Sequence, residues 1–401
     1  MSARAGGAPP LGIYAAPDSL AVLRKRAYLI GAVAGAAASV LGLRDPDQFL
    51  RSYLVAFLYW LSIALGCFAI ASLHHLSRGE WGLMIRRVLE AAARTIPLLA
   101  LLFVPLLLGA RVLYPWARPE EVAADPLLRH QSAYLNLPFF ALRAAAYFAI
   151  WSAFALILDR MSRRQDASRD PHLARRMQVV AAPGLVLYCL AATFASIDWI
   201  MALNEHWHST IFGFMFIGGQ AVAAMAFVIV VARYLSERPP MSEAFRPLHF
   251  HDYGKLLLTF VVLWAYFHVS QFIIAWQANL PKEASWYHPR SAGGWRLVSL
   301  LLVALHFALP CALLLSRELK RRVPRLAAVA GLLLVMRWFD LYWLAAPAFS
   351  PDGPAFHGLD LVLPLAIGGL WLGAFAGQLQ RRPLLPLNDP FLPEVLRVSE
   401  R

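Results

Sequence analysis

The chain is 401 residues long, 59% apolar and only 15% charged, with 13 tryptophans and a positive mean hydropathy, which excludes an ordinary soluble domain. A net charge of +13 would suggest nucleic acid in a soluble chain. Here the positive residues fall in short loops between apolar runs, where membrane orientation alone places them, so nucleic-acid binding is the weak reading.

Apolar segments run at 27–43, 52–73, 95–114, 137–158, 179–200, 211–232, 256–276, 297–316, 326–345 and 359–379. Each is long enough to cross a hydrocarbon layer, so the expected fold is an all-α integral membrane protein with about ten transmembrane helices. The domain reading is a tail over 1–26, a polytopic domain over 27–379 and a second tail over 380–401. In the first segment, Arg24, Lys25 and Arg26 precede a short apolar stretch and the small residues Ala36 to Ser39, a pattern shared with signal peptides. Gly31 and Gly35 form a small-xxx-small face suited to helix packing, so a retained helix is the expectation.

Before the third segment, Trp81 to Arg94 mixes Met84, Val88 and Leu89 with Arg86, Arg87 and Glu90. It either lies along the interface or extends the helix, and Pro97 marks a bend. The connections Tyr114 to Asn136 and Asn279 to Arg296 are long, aromatic and mixed in charge, which suits a docked periplasmic partner or a solvated cap. No internal repeat is evident.

With the N-terminus inside, the tails and the connections on that side carry 27 Lys and Arg, including Arg4, the cluster from Arg160 through Arg169 to Arg176, and the cluster from Arg317 to Arg325. The opposite connections carry eight, while Arg143 and Arg337 lie within helices. This asymmetry predicts both termini in the cytoplasm. Cys67, Cys189 and Cys311 sit singly in different segments, which leaves no cysteine set for an iron–sulfur cluster or covalent haem.

Ionisable groups inside hydrocarbon each need a partner, a wet cavity or a role in moving charge. His268 and His306 fall near the midpoints of consecutive segments; packed core histidines, a proton relay, a quinone contact or a shared haem are the readings. Arg337 and Asp340 stand three apart on one helical face, as a structural ion pair or a gate for protons. Asp198, Glu205, His206 and His208 gather at the turn between segments five and six, which reads as an outer mouth for protons or an interfacial turn; their spacing matches no metal-ligand pattern. His74 and His75, and His251, Asp252 and Lys255, lie at the other interface as anchors, or as an inner proton entry. No nucleotide-binding loop and no hydrolase motif occurs.

Several motifs together carry a resemblance: His74-His75-Leu76 with Trp81-Gly82, Tyr134-Leu135-Asn136 with Arg143, Asp198-Trp199-Ile200-Met201 before His206-Trp207, His251-Asp252 with Gly254-Lys255, Trp264-Ala265-Tyr266 with Ser270-Gln271, and Arg337 with Asp340. From Ala27 to about Pro386 the chain resembles the NrfD/PsrC-like family of polysulfide reductase membrane subunits, and within it the F subunit of alternative complex III, a quinol:electron-acceptor oxidoreductase. His268 departs from the family pattern.

The resemblance implies NrfD/PsrC-like helical bundles in the bacterial inner membrane, a sister membrane subunit, a periplasmic iron–sulfur protein and haem c subunits. It further implies menaquinone or another quinone as ligand, with haem c and iron–sulfur clusters held only by the partners, and no catalytic residue or metal in this chain. A proton path through Asp198, His206, His268, His306, Arg337 and Asp340 is the site expectation. The competing functions are a secondary transporter and a purely structural assembly subunit.

Overall fold

The structure, a computed structural model, describes residues 14–168, 170 and 172–393. Arg4 and Arg169 of the charge asymmetry, and the outer parts of both tails, lie outside the described residues. Among the described residues, ten helices are long and apolar enough to cross a membrane: α1 Ser19–Arg44, α2 Pro46–Ser77, α3 Arg86–Leu108, α4 Leu137–Ala167, α5 His172–Leu203, α6 Phe212–Ser236, α7 Pro247–Ala278, α8 Gly293–Leu315, α9 Val323–Ala348 and α10 Leu359–Gln380. By length and composition the chain is a multi-pass membrane protein.

Local chemistry sets the helix ends. Asp45 accepts from the Gln48 amide ahead of Pro46 at the start of α2, and Asn136 accepts from the Phe139 amide at the start of α4. Arg78 and Asn279 take the left-handed conformation (φ 51° and 50°) that ends α2 and α7. The charged stretch before the third apolar run extends that helix: Arg86–Ala93 is helical and buried, and the chain turns at Arg94 and Thr95 just ahead of Pro97.

Helices α2 and α6 occupy the centre and pack on each other. The elements α2 to α5 gather on one side of this contact and α6 to α9 on the other. α1 and α10 lie together, with α10 against α2, because small residues let their backbones meet. A Cβ on Gly369 would stand 2.4 Å from Gly31 Cα, whereas one on Gly35 would touch nothing, so only the first glycine of the small-xxx-small pair packs.

On the arginine-rich side, the segment after α10 folds back instead of trailing as a tail. Leu384 and Leu385 are buried, and the Leu384 amide donates to the Tyr14 carbonyl at 2.8 Å. Arg382 reaches Glu90, Asp159 and Asp166 at 2.8–3.1 Å, and Asp389 accepts from Arg86 at 2.9 Å. Ser162 sits in the middle, accepting from Arg86, Arg87 and Arg382 and donating to Glu90. Burial opposes the charge of Arg382, but Glu90, Asp166 and Asp159 more than offset it and raise its pKa.

Candidate functional site

The expected path residues separate into three places. The first is a closed ion pair between α4 and α5. Arg143 donates to both oxygens of Asp198 at 2.8 and 2.9 Å, Tyr147 donates to the same carboxylate at 2.8 Å, and a third guanidinium donor reaches the Tyr134 carbonyl at 2.7 Å. The guanidinium lies 3.8 Å from the Tyr134 ring centre. Burial and the Asp198 charge push the Tyr134 phenol up to about 12. Asp198 is fully buried and its charge is answered, so it reads as a strut that fixes α4 against α5. The sequence signals that an arginine within an apolar run needs a carboxylate, but not which one.

The second place is the turn after α5, where His206 is 60% exposed and lies 3.1 Å from Asp125 and 3.7 Å from Glu205. Neighbouring His208 meets Gln131 at 3.3 Å, and Trp207 stacks on Trp286 at 4.6 Å, which ties together the two long connections on this face. Burial, then Lys282, lowers the His208 pKa. A histidine depressed in the fold contributes stability above its unfolded pKa and loses it as pH falls through and below that range. The protection of residues 126–136 against hydrogen exchange, corrected for the intrinsic rate at each pH, is therefore expected to fall on acidification and to change less with pH in His208→Asn. An equal loss of protection in both proteins would remove His208 as the cause.

The third place brings four of the six residues together between α7, α8 and α9. Asp340, Arg337 and His306 are fully buried. Arg337 pairs with Asp340, donates to Ser62 at 3.2 Å, and lies against Gly219, where a Cβ would stand only 1.9 Å from a guanidinium nitrogen. Trp264 donates its indole N–H to Asp340 at 3.1 Å. His268 Nε2 lies 3.5 Å from the other Asp340 oxygen.

The two histidines do not face one another. The Trp264 indole lies between them, 4.2 Å from the His268 ring and 4.3 Å from the His306 ring, and fills the space a shared haem would need. The sequence could not show this, nor that α8 widens into a π-helix over Leu302–Ala308, a turn that carries His306. Such turns break the regular α-helical ladder and recur at functional sites. Neither ring nitrogen of His306 makes a well-formed hydrogen bond, and the Met336 backbone lies beside it.

The His268 tautomer follows from its contacts. Its Nδ1 stands 3.0 Å from the Trp264 carbonyl, which can only accept, so Nδ1 carries a proton. Nε2 then faces an Asp340 oxygen at 3.5 Å, without a well-formed hydrogen bond between them.

His268 also forms the inner wall of an apolar cavity of about 570 Å³ between α7 and α8. Val269, Phe272, Leu300 and Val303 line it and are largely exposed on the lipid-facing surface, so it opens sideways into the bilayer. Its outer end is Arg290, which sequence reasoning passed over because it lies in a connection. Arg290 is buried, held by the carbonyls of Trp286, Trp343 and Leu344 at 2.6–3.2 Å, and stacked 3.6 Å from Trp286. Burial lowers its pKa well below the arginine range, and among the described residues it has no carboxylate partner. The cavity thus has Arg290 and His268 in its wall, with an otherwise mostly apolar lining.

On the arginine-rich side, His74 packs edge-on to Trp81 at 5.5 Å and against the Gly82 backbone, as an anchor would. Among the described residues, no group of three or more His, Cys, Asp or Glu is placed to hold a metal ion. No protein-family model matches the chain, and no curated protein matches it either.

Proposed function

We propose that this chain is an integral membrane subunit of a quinol-oxidising respiratory complex of the alternative complex III type, in the NrfD/PsrC-like family. It shapes a quinone cavity and couples quinone chemistry to proton movement. The observation that carries this reading is the sideways-opening apolar cavity walled by His268, 3.5 Å from a buried carboxylate. Quinones partition into lipid, and an entrance from the bilayer admits them without passage through water. Menaquinone is the ligand the resemblance favours.

In this reading His268 passes a proton between a quinone oxygen and Asp340, with Arg337 holding the carboxylate in place. His268, His306 and the Arg337–Asp340 pair form the proton-handling unit, with the Trp264 indole between the two histidines, while Asp198 is structural and His206 marks the opposite surface. Electrons travel through haem c and iron–sulfur clusters in partner subunits, namely a periplasmic iron–sulfur protein and haem c proteins, beside a sister membrane subunit. The positive-inside asymmetry supports a bacterial inner membrane location with both termini cytoplasmic.

Purification in mild detergent tests the assignment: haem c and iron–sulfur subunits are expected to accompany the chain, and a solitary protein that binds a solute would sink it. Within the complex, His306→Leu is expected to lower the protons moved per electron while assembly persists. Because neither nitrogen of His306 makes a well-formed hydrogen bond, its removal orphans no partner. An unchanged proton ratio would leave the chain as a scaffold.

A further inference from the structure

We infer that the face opposite the arginine-rich side carries a binding site for a glycerophospholipid with a primary-amine headgroup. The site is separate from the quinone cavity and does not depend on it. Where α2 begins and α3 has just ended, a cavity of about 490 Å³ is lined by Asp47, Arg51, Arg111, Arg118 and Glu120. Arg118 is committed: it donates to the Arg111 and Val112 carbonyls at 2.9 and 3.0 Å and lies 3.6 Å from Glu121.

The other four are not. Among the described residues Arg51 and Arg111 have no ion pair and donate no hydrogen bond, and Arg51 only lies 5.3 Å from the Phe349 ring. Asp47 and Glu120 have no ion pair either, although they share the cavity with these cations. Two free guanidinium groups and two free carboxylates in one hollow match a zwitterion: the guanidinium groups take a phosphate, and the carboxylates take an ammonium that can donate hydrogen bonds.

The surface toward the hydrocarbon completes the site. Leu101, Val104, Leu108 and Arg111 follow at spacings of three, four and three, so they lie on one face of the α3 direction. Leu101 is 70% and Leu108 80% exposed. An apolar stripe ending in a cation at headgroup depth is the surface that one acyl chain and its phosphate would cover.

The test uses the full chain, with any accompanying subunits, in nanodiscs containing equal phosphatidylethanolamine, phosphatidylcholine and phosphatidylglycerol. Retained lipid is counted by native mass spectrometry after delipidation. Phosphatidylethanolamine is expected to be enriched, and Arg51→Gln with Arg111→Gln to cut its retention by about tenfold, the scale of one lost charge-assisted contact. Asp47→Asn with Glu120→Gln is expected to keep phospholipid but lose the preference for the amine. Arg51→Lys with Arg111→Lys keeps the charges and should retain lipid, which separates a binding loss from misfolding, as does Arg111→Gln alone on an exposed side chain. Undiminished retention in the double Gln variant overturns the inference. So does equal displacement of the lipid by inorganic phosphate, which would make this a free-anion site. Loss of a co-purifying subunit with lipid unchanged would make it a protein-docking surface instead.

Discussion

Asp340→Ala is expected to destabilise the folded protein by about 3–5 kcal/mol, the cost of leaving a buried charge without its partner. Arg337 has no exposed surface, its remaining side-chain acceptor is Ser62, and Gly219 closes one side of it, so the guanidinium cannot swing to water. Asp340→Asn keeps the shape and an acceptor for Trp264 but removes the countercharge, so it too should cost stability and is a poor probe of proton transfer alone. Removing both charges, as in Asp340→Leu with Arg337→Leu, should recover much of the loss. Unfolding in graded denaturant, in detergent, reads the difference. A single-variant cost below about 1 kcal/mol would mean that the pair behaves like an exposed one.

Glu90→Ala is expected to cost a comparable amount at the other end of the molecule. Glu90 accepts from Arg86 at 2.8 Å, Arg87 at 2.7 Å and Arg382 at 3.1 Å, and all three lose part of their neutralisation when it goes. The same network holds the segment after α10 in place, so a second sign is expected: faster proteolysis around Arg382 to Asp389. Because the charges are buried, raising the salt concentration should alter the cost little. A strong salt dependence, or unchanged proteolysis, would show that the segment is held by its leucines and not by these ions.

The spans were legible because hydrocarbon imposes length and apolarity on any helix that crosses it. What escaped was everything that depends on which helices become neighbours. Arg86, Arg87 and Glu90 left an interfacial stretch and an extension of the helix both open, and the structure has the extension: the two arginines are buried against Asp389 from beyond α10 and Asp166 of α4, and Glu90 against Arg382. Arg143 and Asp198 were both visible as unusual residues, but 55 positions separate them and only the packing of α4 on α5 makes them a pair. Arg337 with Asp340 was legible because helix geometry fixes an interval of three. The indole between the histidines, the π-turn and the role of Arg290 were not, since each depends on how α7, α8 and α9 meet.

The folding-back of the last segment also bears on how the protein is made. Glu90 and Arg382 are 292 positions apart, so α3 is synthesised long before the arginine that completes its charge network. At ordinary elongation rates that delay is roughly 15–60 s, during which the early helices wait with charges still incompletely matched at the membrane edge. A nascent chain arrested before Arg382 should therefore expose this region to proteases and quality control even with every span inserted, and the arrival of Arg382, not insertion of the tenth helix, closes the fold.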